Sequence, residues 1–410
     1  MFHCHRQLHM DFGSWRYSSM RERSAPEVFL TFLGLGLTSF GGPIAHIGYF
    51  REEIVVRRRW LDDATYTDLV ALCQFLPGPA SSQVGFSLGL IRARYWGALA
   101  AWAGFTLPSA VLMTAFAYGA GELSGSIGLG ALHGLKLVAV AIVAQAVWGM
   151  AATLCPDRPR ASISCVAAVI ILLSNSSIAQ IGVILLGGIA GFWLCRTAAP
   201  TMQRPLGISV SRRVSVGAIG VFFGLLAVLP ILGTRFQGIA LFDAFYRSGA
   251  LVFGGGHVVL PLLSKAFVTP GWVSQDSFLA GYGAAQAMPG PLFTFAAYLG
   301  AVGEPSPHGI AGAALGIAGI FLPGLLILLG TIPFWDTFRR RIGAQAVMRG
   351  VNAAVVGMLG ASLYSLLWVN SVRSPGDFAL ALIGFVLLVR WRAPPLLVVI
   401  LGALGGIALA

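Results

Sequence analysis

The chain has 410 residues, of which 57% are hydrophobic and only 10% charged, whereas a soluble domain carries about 25% charged residues; a water-soluble globule is excluded. The net charge of +12 comes from 27 basic against 15 acidic residues, set in short clusters between apolar runs. That pattern excludes a nucleic-acid surface, which would gather its charge on one polar face, and fits the loop charge of a membrane protein.

Residues 1–25 are polar. His3, Cys4, His5 and His9 lie there without ligand spacing, and Cys73, Cys155, Cys165 and Cys195 follow no regular interval, so no metal, cofactor or disulfide framework is expected. The segment has no apolar core followed by a small-residue cleavage site, and is not read as a secretory signal. A bilayer crossing takes about 20 apolar residues. Suitable runs are expected at 26–50, 66–92, 96–121, 131–154, 161–176 and 178–195, then a linking run at 214–233, then 238–265, 277–302, 308–333, 346–370, 376–390 and 393–410. The predicted fold class is an all-α polytopic membrane protein of about thirteen transmembrane elements. It divides into a first repeat (26–200), a basic linker with a linking span (201–237) and a second repeat (238–410).

The repeat is legible as ordered landmarks. Phe40 corresponds to Phe253, Trp60 to Trp272, Gln74 to Gln286, Pro77-Gly78-Pro79 to Pro289-Gly290-Pro291, Pro108 to Pro323 and Gly134 to Gly350, at offsets that drift only from 212 to 216. The first repeat follows zero crossings and the second follows seven, so the halves are expected to be inverted, as in many secondary transporters. With the amino terminus inside, Arg92/Arg94, Arg158/Arg160, Arg196 to Arg213, Lys265, Arg339 to Arg341 and Arg390/Arg392 fall in the cytoplasm, and Glu122 to Gly128 and Ser174 to Ser177 fall outside. Arg51 to Trp60 breaks this rule, because four arginines would lie outside. Either it is an interfacial helix, or the PGP element is a re-entrant hairpin that enters and leaves on one side.

Proline removes a helix hydrogen bond and glycine loosens the chain, so each PGP should break its helix. Pro79 suits the first turn of a new half-helix. That half-helix would present the N–H groups of Ala80, Ser81 and Ser82 with two hydroxyls, and its counterpart those of Leu292, Phe293 and Thr294. Helix amino termini attract anions, so the pair is expected to form an anion cradle flanked by Gln74 and Gln286. Gly41-Gly42-Pro43 and Gly254-Gly255-Gly256 are a second pair of breaks. Ionisable residues inside apolar runs are candidates because burying them is costly. Lys136 is the expected countercharge to an anion. Arg92 and Arg94 are the expected closing residues. His46, His257 and Asp68 are candidates for proton exchange, whereas Asp243 and Glu304 are expected at solvated ends.

The stretches FGGPIAHIGYF (Phe40 to Phe50), RRWLDDATYTDLVALCQFLPGPASSQVGFSLG (Arg58 to Gly89), GFTLPSA (Gly104 to Ala110) and GYGAAQAMPGPLFTFAAYLG (Gly281 to Gly300) resemble the chromate ion transporter family in its long, two-domain form. The resemblance runs from about Ala25 to Ala410. It implies a multi-pass protein of the cytoplasmic membrane that exports chromate, a tetrahedral oxyanion, driven by the proton motive force, and so confers chromate resistance. Sulfate is weighed as a competitor or alternative substrate, and a homodimer is a candidate assembly. The second half departs from the first in carrying GGG where the first has GGP. No ATP-binding loop or hydrolase motif is present, so an enzyme is not expected.

Overall fold

The computed structural model describes residues 24–120, 125–174, 177–196, 208, 210–253, 256–338 and 341–409. His3, Cys4, His5, His9, Glu122, Arg204, Gly254, Gly255, Arg339 and Arg340 lie outside the described residues. Within them all regular structure is helical. The first half contains α1 (Ala25–Thr38), α2 (Gly42–Phe50, carried on by a π-helical turn to Arg57), α3 (Asp63–Phe75), α4 (Ala80–Ala120), α5 (Ser126–Leu154), α6 (Arg158–Leu173) and α7 (Ser177–Leu194). A linking helix α8 (Arg212–Gly233) follows. The second half contains α9 (Gln237–Ala250), α10 (Val259–Leu263, carried on to Val268), α11 (Gln275–Ala285), α12 (Phe295–Val302) and α13 (Gly309–Thr331). It ends with α14 (Trp335–Phe338), α15 (Ile342–Ser362, carried on through α16, Val369–Ser371), α17 (Pro375–Val389) and α18 (Pro395–Leu409).

Local chemistry sets the starts. Ser24, Asp62, Asp157, Ser211, Ser274 and Ser374 each accept a first-turn N–H, which satisfies an otherwise orphaned donor. Five helical stretches are long and apolar enough to cross a membrane. The molecule is a multi-pass helical membrane protein.

Four of the runs expected as single crossings are hairpins instead. In 26–50, the Phe32 and Phe50 rings meet at 5.4 Å, although 18 residues of continuous helix would separate them by about 27 Å. In 238–265 and just beyond, Phe245 and Phe267 meet at 4.5 Å. In 277–302, Phe278 meets Phe295 at 5.2 Å, and the Tyr298 hydroxyl donates to the Ser277 carbonyl at 3.1 Å. At the ends of 66–92, the Arg92 guanidinium sits 5.2 Å over the Trp60 ring. The arms of the first pair run 13 to 16 residues, about 20–24 Å of helix, against a hydrocarbon core of roughly 30 Å. Reversal happens at glycine because Gly41, Gly78 and Gly290 take φ values of +97°, +116° and +96°, which a side chain resists.

α4 is itself folded. Ala93 and Arg94 leave helical geometry, Arg94 at φ +54°, and the backbones of Gly89 and Gly97 touch where a straight helix would hold them about 12 Å apart. Its limb 80–92 closes the PGP hairpin. The limb 95–120 is long enough to cross.

The hairpin feet gather at two places. In the first half Glu27 holds Arg92 at 3.1 Å and Arg58 at 3.8 Å, while Glu53 holds Arg58 at 2.7 Å and Arg57 at 3.2 Å. In the second, Glu304 N–H donates to the Trp272 carbonyl at 3.0 Å and Ser306 N–H to Gln237 Oε1 at 3.4 Å. The long limb of α4 starts beside the first set of feet, and its Tyr118 hydroxyl ends against Gly309 beside the second. The halves also interlock: α5 packs on α17 and α18, and α15 packs on α6 and α7. Gly134 lies against Gly402 and Gly406, and its counterpart Gly350 against Gly187 and Gly191. Small residues permit this backbone approach where lipid supplies no hydrophobic drive.

Candidate functional site

The four hairpin tips meet, and they exchange backbone bonds. Gly78 N–H donates to the Val252 carbonyl at 2.7 Å, and Gly290 N–H donates to the Ser39 carbonyl at 2.8 Å. Each PGP therefore seats on the chain just ahead of the other half's glycine break. Pro43 packs on Gly256, so the GGP and GGG breaks also touch. Behind each PGP stands a proline-containing helix of the opposite half. Gly324, next to Pro323 in α13, lies against Gly78 and Pro79; Ser109, next to Pro108 in α4, lies against Gly290. A Cβ on Gly78 would come 2.8 Å from Gly324 Cα, and one on Gly290 would come 2.7 Å from Ser109 Oγ.

Side-chain chemistry is unevenly shared between the tips. After Pro79, α4 begins at once with Ala80, and the first-turn N–H groups have no carbonyl one turn back within the helix. Ser81 and Ser82 are buried there, and the His46 ring, 1% exposed, places Nδ1 3.4 Å from Ser81 Oγ. Gln83 is fully buried and donates through Nε2 to the Pro77 and Gly324 carbonyls at 2.9 and 2.8 Å. Ser39 Oγ, His46 Nε2, Ser82 Oγ, Gln83 Oε1 and Thr106 Oγ1 are buried without a hydrogen-bond partner among the described residues. Buried polar atoms left unpaired are uncommon, and those on the segments flanking the tips mark a place that water or a polar ligand would satisfy.

The second tip offers fewer free polar groups. Leu292, Phe293 and Thr294 form a 3₁₀ turn before α12, and Thr294 directs both its N–H and its hydroxyl to the Pro291 carbonyl, at 3.0 and 2.8 Å. Matched amino termini are therefore not what forms: a 3₁₀ bond uses the donor that the expectation left free. His257 Nδ1 lies 2.8 Å from the Tyr282 hydroxyl, and Gln286, which caps the end of α11, has a buried Nε2 without a hydrogen-bond partner among the described residues.

The remaining expected residues divide by position. Gly41, Gly42, Pro43, Pro77, Gly78, Pro79, Pro289, Gly290 and Pro291 all lie at the tips, while Gly254 and Gly255 are outside the described residues. Gln74 is exposed on α3, and Asp68 is buried on the same helix. Lys136 is buried and ion-paired to Asp276 at 2.6 Å. Asp276 stands in the first turn of α11, about 15 Å along that helix from its tip. Arg92 closes the first set of feet, and Arg94 is exposed at the turn of α4. Glu304 is exposed, as expected of a solvated end. Asp243 is not: it lies inside α9, with its side chain 15% exposed and bonded to Arg247 at 2.9 Å. The 14-residue arm of α9 stops at a tip, so a residue counted near the start of a crossing lands well inside a hairpin. Ser39, Gln83, Thr106, Ser109 and Gly324 were not singled out. The first three are ordinary polar residues in apolar runs, and only the matched prolines beside the last two hinted at their place.

The sequence pattern of the chromate transporter family matches residues 26–192 and 239–407. The chain is 27% identical over 401 residues to a chromate transport protein of Pseudomonas aeruginosa, covering 93% of this chain and 91% of that protein. It is 26% identical over 371 residues to a chromate transport protein of Cupriavidus metallidurans, covering 89% and 88%. A probable chromate transport protein of Synechococcus elongatus is 26% identical over 385 residues, covering 92% and 93%. No solved structure matches the chain.

Proposed function

We propose that this chain, which belongs to the chromate transporter family, carries chromate across the cytoplasmic membrane as a secondary transporter. The observation that carries the reading is the reciprocal pair of tip bonds, Gly78 to Val252 and Gly290 to Ser39. It joins four breaks, two from each half, at one place beside unpaired buried polar atoms. In this reading the halves are inverted repeats. The first two hairpins enter from the cytoplasm, the second two from outside, and the tips meet at mid-membrane. The thirteen elements divide into nine crossings and four re-entrant hairpins. Arg51 and Arg57 to Arg59 then join Arg92, Arg94, Arg158, Arg160, Arg196, Arg212, Arg213, Arg339 to Arg341, Arg390 and Arg392 inside. That removes the one conflict with the positive-inside rule. Lys265, with its hairpin, moves to the outside.

The amino end of α4, with Ser81 and Ser82, faces the anion, because unpaired N–H groups and the helix dipole favour negative charge. Backbone at Gly41, Gly42, Pro43, Pro289, Gly290 and Pro291 shapes the site, and Thr294, Gln74 and Gln286 line its approaches. His46, His257 and Asp68 exchange protons, coupling export to the proton motive force, and Arg92 and Arg94 close the cytoplasmic end; Lys136, expected as the countercharge, is instead committed to Asp276. The tips move together because each is bonded to the opposite half, which suits alternating access around a fixed site.

The test is uptake into proteoliposomes and everted vesicles with chromate or sulfate, with and without an imposed pH gradient. Chromate accumulation that sulfate competes with and a protonophore abolishes is the expected result. Sulfate accumulation without chromate movement would make the protein a carrier of another tetrahedral oxyanion, and movement of neither would overturn the reading. Pro77→Ala and Pro289→Ala should each lower transport more than they lower the amount of protein in the membrane, measured on the same vesicles.

A further inference from the structure

A cavity of about 580 Å³ opens beside the first tip, lined by Pro77, Leu251, Phe253, Phe222 and Trp335 among others. Its walls are apolar except for Arg247 and Thr331, and the Thr331 hydroxyl is spent on the Ile327 carbonyl at 2.8 Å. Arg247 lies in the last turn of α9, five positions before Val252, whose carbonyl holds Gly78. The adjacent Tyr246 donates to the carbonyl of Phe222, the eleventh residue of the 22-residue crossing α8. Arg247 is thus level with the middle of a crossing helix, where an uncompensated charge is costly.

Its bonding is incomplete in a particular way. Asp243 Oδ1 takes Nε–H at 2.9 Å, and no further hydrogen bond from Arg247 is seen among the described residues. A guanidinium has five N–H donors, so four on the two terminal nitrogens are available, and the side chain is 45% exposed. The planar fork that remains matches two oxygens of an oxyanion. Lys136 likewise has a carboxylate partner, Asp276 at 2.6 Å, but its side chain is only 10% exposed and it is a point charge with no second face to offer. The position corresponding to Arg247 at an offset of 213 is Gly34, so the first half has no equivalent charge. Phe75 and Trp335 continue the wall in the direction of α14 and Met348, the cytoplasmic end in the proposed orientation.

We propose that the Arg247 guanidinium, braced through Nε by Asp243, is the cationic seat for a tetrahedral dianion in the cavity between Pro77 and Trp335. The proposal rests on the transport reading and names the countercharge it requires. Asp243 then has two effects: it orients the fork, and its carboxylate competes with the arriving anion for the same cation.

The test is equilibrium binding of chromate and of sulfate to the purified full-length protein in nanodiscs, with thermal unfolding measured on each sample. Arg247→Gln should weaken binding by at least about tenfold, the scale of a lost charged hydrogen bond, with its unfolding midpoint unchanged. Arg247→Lys, which keeps the charge and loses the fork, should fall between, and decides the matter if the glutamine variant does not insert. Asp243→Asn should bind as tightly as wild type or more tightly. Unchanged affinity in Arg247→Gln would overturn the seat, as would an Asp243→Asn loss equal to it, since a plain structural ion pair fails equally from either side. Wild-type protein that binds neither anion would overturn the transport reading as well, whereas wild-type binding with an indifferent Arg247 would overturn only this proposal.

Discussion

The two PGP hairpins share a backbone and differ in chemistry. Both turn at a left-handed glycine, both lend that glycine's N–H to the opposite half, and both lean on a helix that carries a proline. The first tip then opens an α-helix rich in buried hydroxyl and amide groups, whereas the second opens a 3₁₀ turn of Leu292, Phe293 and Thr294 whose threonine is self-satisfied. Their feet differ in degree: an ionic cluster of Glu27, Glu53, Arg57, Arg58 and Arg92 in the first half, against backbone donors and the Lys136–Asp276 pair in the second. Duplication has kept what the backbone needs and let the side chains divide the work. Donors sit on one half, and the mid-depth cation sits on the other.

The comparison breaks most sharply at the tip glycines. Gly78→Ala meets backbone at Gly324 and Gly290→Ala meets a serine hydroxyl; both also force a side chain into positive φ, which costs about 1–3 kcal/mol. Each should lower transport at least about tenfold through lost tip geometry. Adding Ser109→Gly should restore part of the Gly290→Ala loss and none of the Gly78→Ala loss, measured as transport per inserted molecule. Rescue of both, or of neither, would show that the two seats are not built as described.

A middle-sized effect concerns sidedness. In a cysteine-free background, Arg57→Cys and Ser306→Cys should react with a membrane-impermeant thiol reagent from opposite faces, the former from the cytoplasm. Labelling from one face alone would end the inverted arrangement of the hairpins. The smallest effect separates the hydroxyls. Ser82→Ala removes a buried group with no protein partner and should weaken anion binding by about threefold to tenfold, within the range of one hydrogen bond. Thr294→Ala should change binding less than about twofold, because its hydroxyl is already committed to Pro291.

Much of the tip backbone was legible beforehand, because glycine and proline act locally: φ near +100° and a missing N–H break a helix whatever surrounds them. The match of Trp60 with Trp272 and of PGP with PGP placed corresponding breaks without any contact information. Hairpins were less legible. An apolar run of about 26 residues has the same composition whether it crosses a bilayer or turns back halfway, and the stray arginines of Arg51 to Trp60 were the one sign of reversal. Lys136 stood out as an intramembrane cation because Asp276, its partner, is 140 residues away. Arg247 was passed over because its depth depends on where α9 stops.

By itself, the sequence determined a helical membrane protein, its doubled order of elements and the positions of its breaks, since composition and backbone stereochemistry depend on near neighbours alone. The tertiary structure decided that the broken runs fold back, that each tip is held by the other half, and that α5 and α15 each pack on the far half's last helices. Those outcomes rest on hydrogen bonds and glycine contacts between residues one to two hundred positions or more apart, such as Gly78 with Val252 and Gly134 with Gly402, which no local pattern encodes.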